Sequence, residues 1–360
     1  MTGNRMFDLA VSPHIGSSQN TKRIMWDVVI ALIPALVAAF WFFGPRALML
    51  VAASVGAAVL TEWLCLKFMK RPVNFAFDGS AVVTGLLLAY NVPSGVPWWI
   101  PVLGSAFAIA VAKQAFGGLG HNIVNPALLG RAFLVASFPV LMTAGWIAPM
   151  EWRDGQRIDV QSCGVSTAQL SESEELDALS GATPLNVLKQ TFSWEGEPGR
   201  GEEVRAMLFS KQSLKNLFMG RAGGCIGETS AIMLLLGAIY LILRGVLELR
   251  LPLSYLGSVA LFGWLFGGSG WFNGNPLFHL LAGGVILGGF FMITDMVTTP
   301  VTKKGRIIFG IGAGLLTMVI RRWGGYPEGC SYSILLMNLG TPLIDRYTRP
   351  RAFGEVKKNG

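Results

Sequence analysis

Polar and apolar positions are segregated over whole segments of the chain. From Ile24 the sequence runs to Phe43 with one charge, and a second apolar run extends from Arg46 to Leu66. Each approaches the roughly 20 residues that cross a bilayer as a helix. The third piece, Asp78 to Tyr90, is too short for that and ends in the turn-rich Asn91-Val92-Pro93-Ser94-Gly95-Val96-Pro97. A short or broken helix lining a cavity is the form such a segment is permitted in a membrane. Trp98 and Trp99 mark an interface before a fourth run, Ile100 to Phe116, and a fifth closes near Gly145. After a long polar stretch, apolar runs resume at Glu228–Leu247, Leu253–Gly268, Pro276–Ile293, Arg306–Ile320 and Cys330–Ile344.

The pattern predicts an all-α polytopic membrane protein of about ten transmembrane helices, some of them broken or half helices. The expected units are a cytoplasmic segment at 1–23, a five-span repeat at 24–145, an extracytoplasmic loop at 146–220, a second five-span repeat at 221–345, and a cytoplasmic tail at 346–360. Phe116-Gly117-Gly118-Leu119 is similar to Trp323-Gly324-Gly325-Tyr326, and the short segment at Asp78–Tyr90 pairs with the broken run Thr294–Pro300. Five spans per repeat is an odd number, so the two repeats are expected to be inverted relative to one another.

Basic residues set the orientation. Lys22 and Arg23 precede the first span and Lys67, Lys70 and Arg71 follow the second, which places both flanks in the cytoplasm. No removable signal is expected ahead of Arg23. Arg244, Arg250, Lys303, Lys304, Arg306, Arg346, Arg349 and Arg351 then also fall inside, whereas Arg321 and Arg322 fall outside as exceptions.

Composition agrees. Among 360 residues 52% are hydrophobic and 14% charged, and the mean hydropathy is +0.51, a combination foreign to ordinary soluble domains. The net charge of +8 flanks apolar runs and forms no stripe, so lipid and not nucleic acid is the expected partner. Cys65, Cys163, Cys225 and Cys330 are far apart and form no metal motif. A Gly-x-Gly-x-x-Gly fingerprint after a strand is absent.

The polar stretch carries the candidate chemistry at Asp177-Ala178-Leu179-Ser180-Gly181-Ala182-Thr183-Pro184-Leu185. Thr183 before Pro184 and the apolar Leu185, Val187, Leu188 and Phe192 reads as a helix start, with Thr at the N-cap. Free N–H groups and the dipole at such an end favour a phosphate, and small residues ahead leave the hydroxyl approachable. An ordinary capping threonine has the same local pattern.

Asp177 through Thr183 resembles the flavinylation motif of the membrane flavoproteins in Rnf and Nqr respiratory complexes. The likeness extends to Ser12-Pro13-His14-Ile15, Val83–Leu88, Gly117–Gly120, Asn125-Pro126-Ala127, Gly227–Ser230, Thr294-Asp295, Thr299-Pro300 and Tyr326–Gly329. Ala178 stands where Gly often follows the motif's Asp, and Met296–Thr299 departs from the family's usual Pro-Val-Thr. The short leader is similar to the Rnf D subunit more than to the Nqr B subunit. The resemblance implies FMN joined through a phosphoester to Thr183, with Asp177, Ser180, Gly181 and Ala182 read by a flavin transferase. It also implies a component that passes electrons between ferredoxin and NAD in a complex that moves sodium ions or protons across a bacterial cytoplasmic membrane. Its partners would be the A, B, C, E and G subunits, above all the FMN-bearing G subunit. A second, noncovalent riboflavin of the related Nqr protein is a candidate here too. The alternatives are an Nqr-type B subunit in NADH:quinone transfer, and a non-redox transporter or channel.

Acidic residues in or beside spans are Asp27, Glu62, Asp78, Glu228, Asp295, Glu328 and Asp345, and charges there are costly. Asp78 and Asp295, at the broken helices, are the candidates for an ion or second-flavin site. Thr84, Asn122 and Asn125 are candidates for hydrogen bonds to a flavin ring.

Overall fold

The computed structural model describes residues 20–71, 78–147, 150–153, 156–159, 183–193, 198–228, 230–268 and 270–349. Residues 1–19 and 350–360 of the terminal segments expected in the cytoplasm, and the motif residues Asp177, Ser180, Gly181 and Ala182, lie outside the described residues. The described residues are mostly helical; among them one hairpin, β1 (Met150–Arg153) with β2 (Gln156–Asp159), departs from an all-α expectation.

Helix α1 spans Thr21–Phe43 and α2 Pro45–Phe68, and both are long and apolar enough to cross a membrane. Gly44, at φ 73°, makes the turn between them, and Pro45 supplies the fixed φ suited to a first helical position. Helix α3 (Ser80–Tyr90) is short, as the sequence predicts. Helix α4 (Trp99–Phe107) continues as a π-helix over Ala108–Gln114. The fifth segment is interrupted: α5 (Pro126–Ser137) ends at Phe138, and α6 (Pro139–Ala144) restarts with a proline that cannot donate to the preceding turn.

In the polar stretch, α7 (Pro184–Ser193), α8 (Pro198–Leu208) and α9 (Lys211–Met219) bury Leu185, Val187, Leu188, Val204, Leu208 and Leu217 together against Phe278 and Ala282. The helix beginning after Thr183 is therefore fastened to the apolar body. The second half contains α10 (Ala231–Leu243), α11 (Arg250–Phe266) and the interrupted segment α12 (Pro276–Leu281), α13 (Val285–Leu287) and a π-turn at Gly288–Met292. Then come α14 (Lys303–Trp323) and α15 (Cys330–Thr348).

Consecutive helices pack on one another within each half. Helix α2 lies against α3 and α4, and α4 against α5; α11 lies against α12 and α14, and α14 against α15. Between halves, α1 packs on α10 and α5 on α15. The run Thr294–Pro300, which the sequence pattern pairs with α3, forms turns. Small residues permit the tightest crossings. A Cβ on Gly314 would stand 1.8 Å from the Ser258 hydroxyl and one on Gly310 2.0 Å from that of Ser254, so the Gly310-x-x-x-Gly314 pair sets the approach of α14 to α11.

The outward faces remain apolar: Val37, Trp41, Leu60, Leu261, Leu336 and Leu343 are all exposed. An apolar exterior of this extent is what lipid contact requires. The exceptional Arg321 is internal. Its guanidinium donates to the carbonyls of His279 (2.7 Å), Ala282 (2.9 Å) and Glu328 (3.0 Å), closing the chain ends left open where α12 breaks off. Arg322 lies 3.9 Å from the centre of the Phe192 ring.

Candidate functional site

Two cavities lie back to back. The first collects four of the residues singled out from sequence, Thr84, Asn122, Asn125 and Asp295, with Met25, Val28, Leu87, Phe290 and Phe291 as apolar walls. It is the larger, with about 850 Å³ of empty space counted to its open mouth. Asp78 stands beside it: its carboxylate accepts from the backbone N–H (2.8 Å) and hydroxyl (2.5 Å) of Ser80, a residue of the cavity wall.

Local structure puts these groups there. Gly79, at φ 91°, turns the chain into α3, so Ser80, Val83, Thr84 and Leu87 come to one face. Asn125 caps α5, its side-chain oxygen accepting from Ala127 N–H (3.0 Å) and Leu128 N–H (3.4 Å), while its amide nitrogen donates to the Met292 carbonyl at 3.2 Å. The Asn122 side-chain oxygen is buried without a partner, as is expected of a group awaiting a ligand or a water. Asp295 holds its own turn, accepting from Val297 N–H (3.2 Å) and Thr298 Oγ1 (3.2 Å).

The second cavity contains Thr183. Its other walls include Arg131, Met142, Trp146, Asn186, Tyr326, Glu328 and Tyr332. The predicted cap is present: Asn186 N–H donates to Thr183 Oγ1 at 3.3 Å, and Val187 N–H to the Thr183 carbonyl at 3.0 Å. Thr183 is only 6% exposed. The hydroxyl expected to be approachable lies in a cavity wall, at the start of a helix whose Leu185, Val187 and Leu188 pack with Phe278. Access to the hydroxyl is through the cavity. Tyr326 and Tyr332 stack at 5.3 Å. Lys189, one turn further along α7, donates to the Gly324 carbonyl, and burial lowers its ammonium below the ordinary lysine range.

Arg131 is the residue that sequence reasoning missed. It pairs with Glu328 and donates to Asn91 Oδ1 (2.7 Å) and Ser331 Oγ (2.9 Å). Asn91 in turn donates to Met292 Sδ at 3.5 Å, and Met292 accepts from Asn125. One run of contacts, Arg131–Asn91–Met292–Asn125, thus separates the two cavities. The available signal was a lone cation in the apolar run Ala127–Val135, which a membrane tolerates only with a partner. Cys225, Glu228 and Glu328 present ligand atoms within 4.8 Å of one another, but the Arg131 guanidinium already fills the negative side of that group. Cys225 and Cys330 are buried free thiols.

Of the remaining acids, Asp27 pairs with Arg244 at 3.1 Å and Asp345 accepts from Val301 N–H at 3.1 Å, which are structural roles. Glu62 is different: it and Lys113 are each 2% exposed and meet at 2.6 Å.

An apolar exterior, spanning helices and charges paired internally define an integral membrane protein. A model of the NQR2, RnfD, RnfE family matches residues 8–354, and the chain belongs to that family. It is 47% identical over 348 residues to the D subunit of the Na(+)-translocating ferredoxin:NAD(+) oxidoreductase complex of Acetobacterium woodii, covering 96% of this chain and 95% of the relative. To the D subunit of the proton-translocating ferredoxin:NAD(+) oxidoreductase complex of Clostridium ljungdahlii it is 44% identical, with 97% and 96% covered. To the D subunit of the ion-translocating oxidoreductase complex of Cellvibrio japonicus it is 40% identical, with 96% and 94% covered.

Proposed function

We propose that this chain is the D subunit of an Rnf-type complex, in which electron exchange between ferredoxin and NAD is coupled to ion movement. In this reading FMN is esterified to Thr183 in the outer cavity, and a noncovalent riboflavin occupies the inner one. The bound flavins would supply reversible one- and two-electron chemistry.

The residues present fit these groups. Around Thr183 the start of α7 is suited to a phosphodiester, and Trp146, Tyr326 and Tyr332 offer faces for a planar ring. In the inner cavity, Thr84, Asn122 and Asn125 provide polar atoms among Phe290, Phe291 and Leu87, the mix of few polar groups and many apolar ones that orients a cofactor. The observation that carries the reading is the thin partition between the cavities. Arg131 on the wall of the outer cavity is linked through Asn91 and Met292 to Asn125 on the wall of the inner one.

The packing of α2 on α3 and α4, and of α11 on α12 and α14, supports two repeats in about ten spans; in this reading they are inverted, both termini are cytoplasmic and Thr183 is on the extracytoplasmic face. Partners would be the other Rnf subunits, and the FMN-bearing G subunit would pass electrons in across the outer face. The test is flavin content: protein made with a flavin transferase should hold one covalent flavin at Thr183 and release a second on denaturation. A protein holding neither contradicts the reading.

A further inference from the structure

Arg321 and Arg322 are the cations that the charge pattern leaves unexplained. Arg321 is structural, with Nε, Nη1 and Nη2 each donating to a main-chain carbonyl. Arg322 stands over the Phe192 ring of α7, 3.9 Å from its centre, and Arg205 of α8 approaches the same ring at 5.2 Å. Contact with a ring face uses the cation's charge and spends none of its N–H donors. Lys189, one turn back along α7, donates to the Gly324 carbonyl. Lys189, Arg321 and Arg322 line one recess together with Leu188, Phe192 and His279. It has about 260 Å³ of empty space counted to its open mouth, and its described walls contain no carboxylate. Positive charge gathered in this way draws an anion.

His279 adds a second demand. Its side chain is 2% exposed, and its Nε2 lies 3.1 Å from the Gly267 carbonyl. A carbonyl only accepts, so Nε2 carries the proton and Nδ1 is a bare acceptor. That Nδ1 is buried with no hydrogen-bond partner, which is costly as it stands. A Cβ on Gly267 would stand 2.3 Å from Nε2, so a glycine is what lets the ring seat there. The recess therefore calls for an anion that also carries a hydrogen-bond donor.

Two of its walls lead along the chain into aromatic residues. Phe266 precedes Gly267 and Trp323 follows Arg322, and the two rings lie 5.2 Å apart. Trp264 and Phe272 meet at 5.0 Å, and Trp264, Trp271, Phe272 and Trp323 are all exposed. Tryptophan borders of this kind sit at the level of lipid headgroups. The recess thus lies where the apolar exterior meets the helices of the polar stretch, a place for a molecule with a charged head and an apolar tail.

We propose that this recess holds the headgroup of an anionic phospholipid with a hydroxylated head, the chemistry of phosphatidylglycerol. The phosphodiester is met by Lys189 and Arg322, with Arg205 and Arg321 adding charge. A headgroup hydroxyl donates to His279 Nδ1. The acyl chains lie along Phe266 and Trp323. Phosphatidylcholine offers neither the net charge nor the hydroxyl. Occupancy of the recess is independent of the flavin cavities, so either assignment can fail without the other.

The experiment places the full-length chain in phosphatidylcholine nanodiscs and adds phosphatidylglycerol with a photoreactive group near the head of one acyl chain. Crosslinks are located by peptide mass. Label is expected to concentrate on the peptides holding Leu261–Gly267 and Arg321–Gly324. Unlabelled phosphatidylglycerol should displace it best. Phosphatidylmethanol, the same phosphodiester without a headgroup hydroxyl, should compete about fivefold less well for want of one hydrogen bond, and added phosphatidylcholine least. Label spread evenly over the apolar exterior, or phosphatidylcholine competing as well as phosphatidylglycerol, overturns the inference. Equal competition by phosphatidylmethanol overturns the role of His279. Inorganic phosphate displacing the label as well as the lipid does would assign the recess to a free anion and overturn the lipid. Arg322→Gln should lower the label at this place about fivefold for the charge removed, with labelling beside Phe40 and Trp41 of α1 unchanged. A folded variant that labels like wild type counts against the inference, and wild-type competition decides if the variant does not fold.

Discussion

Asn125 ties the two halves of the protein together, its amide nitrogen donating to the Met292 carbonyl at 3.2 Å while its oxygen caps α5. Asn125→Asp keeps the capping oxygen and loses the donor; Asn125→Ala loses both. A lost cap costs about 1 kcal/mol and a buried carbonyl left unpaired about 1–3 kcal/mol. The alanine variant is expected to melt lower than the aspartate variant, and both should release less noncovalent flavin. Melting with flavin release, followed by fluorescence, checks this.

Thr84 separates the two cavities functionally. Thr84→Leu adds bulk to the inner cavity and removes a hydroxyl, so noncovalent flavin should fall at least tenfold while in-gel covalent fluorescence persists. Loss of both would mean a general folding defect, and loss of neither would move the second flavin elsewhere.

Arg131 spends its donors on Glu328, Asn91 and Ser331. Removing one partner of a buried pair costs about 3–5 kcal/mol, so Arg131→Met should lower the yield of intact protein sharply. Arg131→Lys should not restore it, because an ammonium cannot span this fork. Yield and melting temperature of the detergent-solubilised protein report the outcome.

Gly314→Ala places a methyl group where the Ser258 hydroxyl stands. Overpacking of this kind costs about 1–3 kcal/mol, and Ser258→Ala in the same chain should recover part of it. A double-mutant cycle on thermal melting measures the coupling.

Much of this was legible in the chain. The limits of α1 and α2 follow from unbroken apolar runs, and the helix start at Thr183-Pro184 from cap chemistry. The convergence of Thr84, Asn122, Asn125 and Asp295 follows from polar groups beside breaks that must line a cavity. What was hidden depends on contacts across long separations. Glu62 and Lys113 lie in different spans, and their pairing depends on how those spans meet. The burial of Thr183 could not be read from its neighbours in sequence, because the walls around it, among them Arg131, Tyr326 and Glu328, come from far along the chain.

The central claim is that Thr183 carries FMN. The most direct measurement is in-gel flavin fluorescence after denaturation, with the adduct located by peptide mass, on protein made with an active flavin transferase. Wild type should fluoresce with the flavin on the peptide containing Thr183, and Thr183→Val should be dark while still folding. Fluorescence retained in Thr183→Val, or absent from wild type, would contradict the account.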